Sequence, residues 1–109
     1  MNESLFVYGT LGLGKPNEHI LKNIGGSFKK ATIRGTLHNK GWGAAMGFPG
    51  LTIDVNGAKI EGFLFSSNNL KAHWKNLDDF EGKAYKRVLT KVTLENNTIV
   101  EAFVYTLKK

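Results

Sequence analysis

Three carboxylates lie close together in residues 77–82, whose sequence is Leu-Asp-Asp-Phe-Glu-Gly. This segment ends a predicted helix, where the helix dipole is negative, so its acids need either a basic neighbour such as Lys83 or a functional role. Glu81 follows an aromatic residue and precedes a glycine, and partial burial there would raise its pKa toward neutrality. A carboxyl group of that kind can exchange a proton at neutral pH. Glu81 is therefore a candidate catalytic residue, with an ordinary helix end as the alternative.

A glycine-rich segment, residues 9–15, has the sequence Gly-Thr-Leu-Gly-Leu-Gly-Lys and lies between a predicted strand and a predicted helix. That arrangement is close to a phosphate-binding loop. However, Pro16 stands where the motif needs a Ser or Thr hydroxyl for magnesium, and proline lacks the backbone N–H that would face phosphate. The sequence therefore argues against nucleotide binding.

The three histidines, His19, His38 and His73, are not arranged as a metal site. None is paired with another ligand at the four-residue spacing of a helix, and the chain has no cysteine. We therefore predict neither a metal nor a disulfide. A stable fold of this size without disulfides suits a reducing compartment, so the expected location is the cytoplasm.

Length and charge limit the number of domains and the kinds of binding partner that the chain can have. At 109 residues the chain has room for one hydrophobic core, so residues 1–109 are predicted to form a single domain. The formal charge of +6 is spread along the chain, which indicates a solvated surface rather than a nucleic-acid interface, and a positive field would favour a small anionic substrate. No apolar run is long enough for a signal peptide or a membrane span, so no membrane partner is expected.

Two helices are predicted from caps and apolar spacing. The first begins at Asn17, its N-cap, and ends before Gly25. The second spans residues 66–80, with Ser67 or Asn68 as its cap. Its apolar residues share one helical face: Leu70, Trp74 and Leu77.

Strands outnumber helices. Asn56-Gly57 predicts a two-residue hairpin turn, because such a turn needs positive φ at both central residues. Residues 41–50 are too rich in glycine for a regular element and predict a surface loop. The first predicted strands are residues 5–8 and 31–37. Residues 51–55 and 59–65 are predicted strands on either side of the Asn56-Gly57 turn, and residues 85–94 and 99–107 are predicted strands joined by residues 95–98.

Several short motifs, taken in order, resemble the gamma-glutamylcyclotransferase-like family, particularly its gamma-glutamylamine cyclotransferase branch. They are residues 6–11 (Phe-Val-Tyr-Gly-Thr-Leu), Gly14, Pro16 and Asn17, residues 61–62 (Glu-Gly), residues 77–81 (Leu-Asp-Asp-Phe-Glu), Tyr85 with Arg87, and residues 103–105 (Phe-Val-Tyr). The resemblance implies an α+β fold in which short helices flank a small mixed β-barrel.

The resemblance also assigns the site. It implies that Glu81 is the catalytic residue and that a loop of four residues, Tyr8, Gly9, Thr10 and Leu11, cradles the substrate. Backbone N–H groups of that loop would bind the oxyanion, and Gly9 permits close approach. Tyr85 would wall the cavity and offer a hydroxyl. Tyr105 is a candidate for the same role, or an ordinary core residue.

The implied reaction needs no cofactor. The α-amine of a small gamma-glutamyl substrate attacks its own side-chain carbonyl, which yields 5-oxoproline and releases an amine or amino acid. Two departures from relatives bear on this: Gly12 and Leu13 stand where many carry basic residues, and residues 82–84 form a shortened connection to Tyr85. The alternative is therefore a catalytically silent small-molecule-binding or regulatory module on the same fold.

Overall fold

The computed structural model describes residues 3–9, 11, 12, 14, 15, 17–38 and 50–107. Within these residues the elements follow one another as β1 (Glu3–Val7), α1 (Glu18–Ile24), β2 (Ser27–His38), β3 (Gly50–Ile53), β4 (Ala58–Ser67), α2 (Leu70–Glu81), β5 (Tyr85–Leu94) and β6 (Ile99–Leu107). The predicted loop at residues 41–50 lies outside the described residues except for Gly50, which begins β3 rather than ending a loop.

Five strands form a closed barrel. Their order is β2, β4, β1, β6 and β5, and pairing of Ala31 and Thr32 with Leu94 and Thr93 joins β5 back to β2. The β1–β6 pair is parallel, and the other pairs are antiparallel, so the barrel is mixed. The predicted α+β architecture is confirmed.

Two clusters of buried side chains lie on opposite faces of the sheet. On β1, Phe6 belongs to one cluster while Leu5 and Val7 belong to the other, because successive strand residues point to opposite faces. The cluster with Leu5 and Val7 includes the buried residues of both helices, so it lies between the helices and the barrel. The cluster with Phe6 is formed by strand residues alone among those described, and it fills the barrel.

The two helices lie close to their predicted positions. The apolar face of α2 is buried as expected at Leu70, Trp74 and Leu77. The predicted caps are wrong: Ser67 is the last residue of β4, and the N-cap of α2 is Asn69, one residue beyond Asn68. The helix begins later than the sequence predicts, because β4 continues to Ser67.

Helix α1 begins and ends where the sequence predicts. Asn17 occupies the N-cap, although its side chain makes no capping hydrogen bond. The carboxylate of Glu18 instead accepts a hydrogen bond from the backbone N–H of Gly14 over 2.8 Å. Gly25 follows the last turn at a φ of 89°.

The predicted hairpin around Asn56-Gly57 is wrong. Strands β3 and β4 do not pair with each other; both are antiparallel to β2, on opposite sides of it, and Gly35 pairs with Ile53 on one side and Ala58 on the other. Neither turn residue has positive φ in the described chain. Gly57 is needed for a different reason, since a Cβ there would collide with the carbonyl oxygen of Gly35 where the chain crosses over β2.

The hairpin of β5 and β6 is confirmed with the predicted bounds. Its turn is closed by a hydrogen bond from the N–H of Leu94 to the carbonyl of Thr98 over 2.9 Å, and Asn97 adopts a φ of 67°. Neither α1 nor α2, the helices of the described chain, has the length and apolar character needed to cross a bilayer.

Candidate active site

Glu81 is the last residue of α2 and is partly buried. Burial raises the pKa of its carboxyl group to about 7, because removal from water disfavours the charged form. Gly82 ends the helix at a φ of 82°, and its N–H donates to the carbonyl of Asp78 over 3.0 Å. The end of the helix therefore places a carboxyl group that exchanges a proton near neutral pH.

All three tyrosines of the chain lie within electrostatic range of Glu81. Burial raises the pKa of Tyr8 and of Tyr85, and the negative charge of Glu81 raises each further. Burial is also the largest cause of the raised pKa of Tyr105, followed by its contact with Asp78. The structure therefore places Tyr8, Tyr85 and Tyr105 within electrostatic range of Glu81 and keeps the three hydroxyl groups neutral.

The hydroxyl of Tyr8 makes two hydrogen bonds to backbone groups of the protein. It donates a hydrogen bond to the backbone carbonyl of Tyr105 over 2.7 Å and accepts one from the backbone N–H of Leu51 over 3.1 Å. Those partners belong to β6 and β3. Tyr8 therefore ties the start of the candidate loop to two strands that are distant in sequence.

The candidate loop turns tightly after Tyr8. The N–H of Gly12 donates to the carbonyl of Gly9 over 3.0 Å, and Leu11 is only 4% exposed. Leu11 belongs to the core cluster that also contains Tyr85 and Tyr105. Burial of Leu11 thus fixes the loop against the tyrosines, while Thr10, also assigned to the loop, lies outside the described residues.

The three acids near the end of α2 lie in three different settings. Asp78 accepts a hydrogen bond from the hydroxyl of Tyr105 over 2.6 Å and lies 3.4 Å from Nε of Arg87. Asp79 is exposed and pairs with Lys75 over 3.1 Å. The basic partners among the described residues are therefore Arg87 and Lys75 rather than the predicted Lys83.

Sequence reasoning missed the link between Asp78 and Tyr105. The two residues are 27 positions apart, and their contact depends on how α2 lies across β6. The sequence offers one signal for this region. Tyr85 and Arg87 are two residues apart on a predicted strand, so their side chains lie on the same face. That face carries the guanidinium of Arg87 to 4.2 Å from the ring centre of Trp74 on α2.

A groove of about 570 Å³ begins at the candidate loop, where Tyr8, Gly9 and Gly12 line it. Further along, it is lined by three basic and two acidic side chains: Lys15, Lys30, Lys59, Glu61 and Glu95. The groove therefore combines a surplus of positive charge with backbone from the candidate loop. The described residues include no group of three or more His, Asp or Glu placed to hold a metal ion.

Comparison with solved structures shows the same fold. Over 99% of the chain, the structure of YkqA from Bacillus subtilis matches with a TM-score of 0.74 and 27% identity, and the match covers 36% of YkqA. An AIG2-like protein from Mus musculus matches 96% of the chain with a TM-score of 0.72 and 25% identity, over 76% of its own length.

A protein from Arabidopsis thaliana, solved in solution, matches 98% of the chain with a TM-score of 0.75 and 20% identity, over 62% of its length. The chain thus spans about a third of YkqA and less than two thirds of the Arabidopsis protein. No curated protein matches the sequence. The family model described as "Gamma-glutamyl cyclotransferase, AIG2-like" matches residues 5–109. The chain therefore belongs to the gamma-glutamyl cyclotransferase, AIG2-like family.

Proposed function

We propose that the chain, acting as one domain, is a cyclotransferase that cleaves a gamma-glutamyl amine or gamma-glutamyl peptide. The observation that carries the proposal is the setting of Glu81: a partly buried carboxyl group with a pKa of about 7, among three neutral tyrosine hydroxyls and beside the loop that begins at Tyr8. Membership of the family supports this class of reaction.

Glu81 is proposed to move the proton in both halves of the reaction. Its carboxylate takes a proton from the α-ammonium group of the substrate, and the freed amine attacks the side-chain carbonyl carbon to form the new C–N bond. Collapse of the tetrahedral intermediate breaks the bond to the leaving nitrogen, which receives the proton from Glu81. As the lactam forms, the attacking nitrogen gives up a second proton, which ends on the released amine. The products are 5-oxoproline and the ammonium form of that amine, so atoms and protons balance.

A pKa of about 7 suits both steps, because the ionised and the protonated forms of Glu81 are then both accessible at neutral pH. A glutamate at its ordinary pKa would be a weaker base toward the α-ammonium group of the substrate and would be almost fully ionised at neutral pH. Ring closure itself needs little further help, since holding the amine and carbonyl of one molecule in contact replaces an encounter between two molecules.

The oxyanion and the substrate carboxylate need hydrogen-bond donors. We assign this role to the backbone N–H groups of Gly9, Thr10 and Leu11 and to the hydroxyl of Tyr85. Tyr85 suits the role because burial and the nearby Glu81 raise its pKa and keep the hydroxyl protonated. Tyr8 is better suited to stabilising the loop than to contacting the substrate, since its hydroxyl proton is donated to the backbone carbonyl of Tyr105.

The test is release of 5-oxoproline from a panel of gamma-glutamyl amines, amino acids and peptides. Glu81→Gln keeps the shape of the side chain but cannot accept the proton, so we expect a loss of about a hundredfold or more in kcat. Asp79→Asn is the matched control, because Asp79 is an exposed acid in the same helical turn, and it should keep wild-type activity. Absence of 5-oxoproline with every substrate would contradict the proposal.

A second candidate is a binding or regulatory module that uses the same site without turnover. Gly12 favours it, because the family resemblance implies a basic residue there, whereas this position is buried and a Cβ would lie 3.2 Å from the carbonyl oxygen of Gly9. The other departure, Leu13, lies outside the described residues. This candidate predicts that small amino-acid-like anions raise the Tm without turnover, and measurable turnover excludes it.

A further inference from the structure

The last turn of α2 is joined to the barrel through Asp78. Arg87 on β5 and Tyr105 on β6 are directly opposite each other in the antiparallel ladder, so their side chains lie on the same face of the sheet. Both reach one oxygen of Asp78, the hydroxyl of Tyr105 at 2.6 Å and Nε of Arg87 at 3.4 Å. One carboxylate therefore binds a cross-strand pair.

The two contacts differ in strength. The side chain of Asp78 is 44% exposed, so water and salt screen its ion pair with Arg87. The hydrogen bond from Tyr105 is short and has a charged acceptor, which makes it the stronger link. Arg87 adds packing, because its guanidinium lies 4.2 Å from the ring centre of Trp74, one turn before Asp78 on α2.

Glu81 follows Asp78 by three residues and is held between fixed points. On one side is the side chain of Asp78, attached to the sheet. On the other is Gly82, whose N–H donates to the Asp78 carbonyl and whose own carbonyl accepts from the N–H of Tyr85 over 3.3 Å. Residues 82–84 alone separate the helix from β5, so little chain is available to restore the position of Glu81 if the Asp78 contact is lost.

The same tyrosine reaches the candidate loop. The hydroxyl of Tyr105 binds Asp78, and its backbone carbonyl accepts the hydrogen bond from Tyr8. A continuous chain of contacts thus runs from the last turn of α2, through Tyr105, to the residue that begins the loop. The two parts of the proposed site come from opposite ends of the sequence, and this chain sets their relative position.

We propose that Asp78 is a positioning residue of this site: by binding Tyr105 and Arg87 it fixes the last turn of α2 and holds Glu81 in place relative to the loop that begins at Tyr8. The inference rests on the proposed cyclotransferase function for its effect on rate. Its effect on the geometry of Glu81 is independent of that function.

The kinetic test compares two neighbouring acids. Asp78→Ala should lower kcat by about tenfold to a hundredfold with KM changed less than threefold, because a displaced proton carrier slows the chemical step. Asp79→Ala, in the same turn but paired with exposed Lys75 rather than with the barrel in the described structure, should leave both constants unchanged. Equal kinetics of the two variants would overturn the proposal.

A conservative variant and a double-mutant cycle separate positioning from folding. Asp78→Asn keeps the acceptor for Tyr105, so it should recover activity to within about threefold of wild type. Tyr105→Phe should reproduce the loss of Asp78→Ala, and the double variant should be no slower than either single one. Additive losses would mean that the two residues act separately and would overturn the proposal.

Titration of Glu81 tests the position without using activity. In ¹³C-labelled protein, with Glu81→Gln used to assign the signal, wild-type Glu81 should titrate near 7 and Asp78→Ala should shift its pKa down toward the ordinary range of glutamate, as water reaches the loosened turn. Among the described residues, the titratable groups of the barrel and its candidate loop that act on Glu81 are Tyr8, Tyr85 and Tyr105, all neutral in this range.

An unchanged titration curve in folded Asp78→Ala would overturn the positioning role, whether or not the wild-type protein turns over a substrate. A shifted curve together with an inactive wild type would instead retain the positioning role and reject the proposed function. The two failures are therefore distinguishable.

Discussion

The hydroxyl of Tyr8 donates a hydrogen bond over 2.7 Å to the backbone carbonyl of Tyr105, a residue 97 positions away in the sequence. Parallel pairing of β1 with β6 makes this contact possible, since Leu5 and Phe6 lie opposite Phe103 and Val104. The same hydroxyl accepts from Leu51 at the start of β3. One side chain thus joins the candidate loop to both β3 and β6.

We expect Tyr8→Phe to lower the free energy of unfolding by about 1–3 kcal/mol, because it leaves the Tyr105 carbonyl and the Leu51 N–H without this partner in a partly buried setting. Urea unfolding measures the change. Tyr85→Phe is the matched control, since its hydroxyl makes no hydrogen bond to another described residue, and it should change stability by less than about 0.5 kcal/mol. Similar changes in the free energy of unfolding for the two variants would contradict the stabilising role of the Tyr8 hydroxyl.

The raised pKa of Glu81 predicts a pH-dependent stability. The folded-state pKa is about 7 and the ordinary value is 4.5, so the folded protein holds this proton more tightly than the unfolded chain does. The resulting stability is fully present below a pH of about 4.5 and is lost as the pH rises through about 7. Glu81→Gln removes the dependence.

We therefore expect Glu81→Gln to be more stable than the wild type above neutral pH, by at most about 3 kcal/mol, with the difference shrinking toward acid pH. Urea unfolding of both proteins from pH of about 4 to 8 provides the measurement. A difference that does not vary with pH would mean that the carboxyl group is not desolvated in the folded state.

How well the sequence predicts each part of the structure depends on how far apart in the chain the contacting residues are. Strands β5 and β6 were predicted with their bounds, because alternation and a short polar turn are local signals. The hairpin at Asn56-Gly57 failed because a turn signal says nothing about the partner strand, and both flanking strands pair with β2. Glu81 is singled out by its local sequence and by motif resemblance, whereas the contact of Asp78 with Tyr105 depends on how α2 lies across the barrel.

Gly35 is expected to be intolerant of a side chain. It pairs with β3 on one side and β4 on the other, and a Cβ would collide with the carbonyl of Thr52 and lie 2.7 Å from Cδ1 of Leu51. Gly35→Ala should therefore lower the free energy of unfolding by about 2 kcal/mol or more, since backbone atoms cannot move aside cheaply. Thr36→Ala, at the exposed neighbouring position, serves as the control and should change it by less than about 0.5 kcal/mol.

The groove beside the candidate loop predicts a preference for substrates whose leaving part carries a carboxylate. Lys30 and Lys59 line this groove with exposed side chains, and neither forms an ion pair with another described residue. Lys59→Met should raise KM about threefold to tenfold for a gamma-glutamyl amino acid and leave KM for a gamma-glutamyl alkylamine unchanged, because only the former presents the negative charge. Lys71→Met on α2 is the control, since Lys71 is exposed but does not line the groove. Raising the salt concentration should reduce the difference in KM between the two substrates in the wild type and should have little effect on that difference in Lys59→Met.

Equal increases in KM for both substrates would show that Lys59 acts through the shape of the groove rather than through its charge.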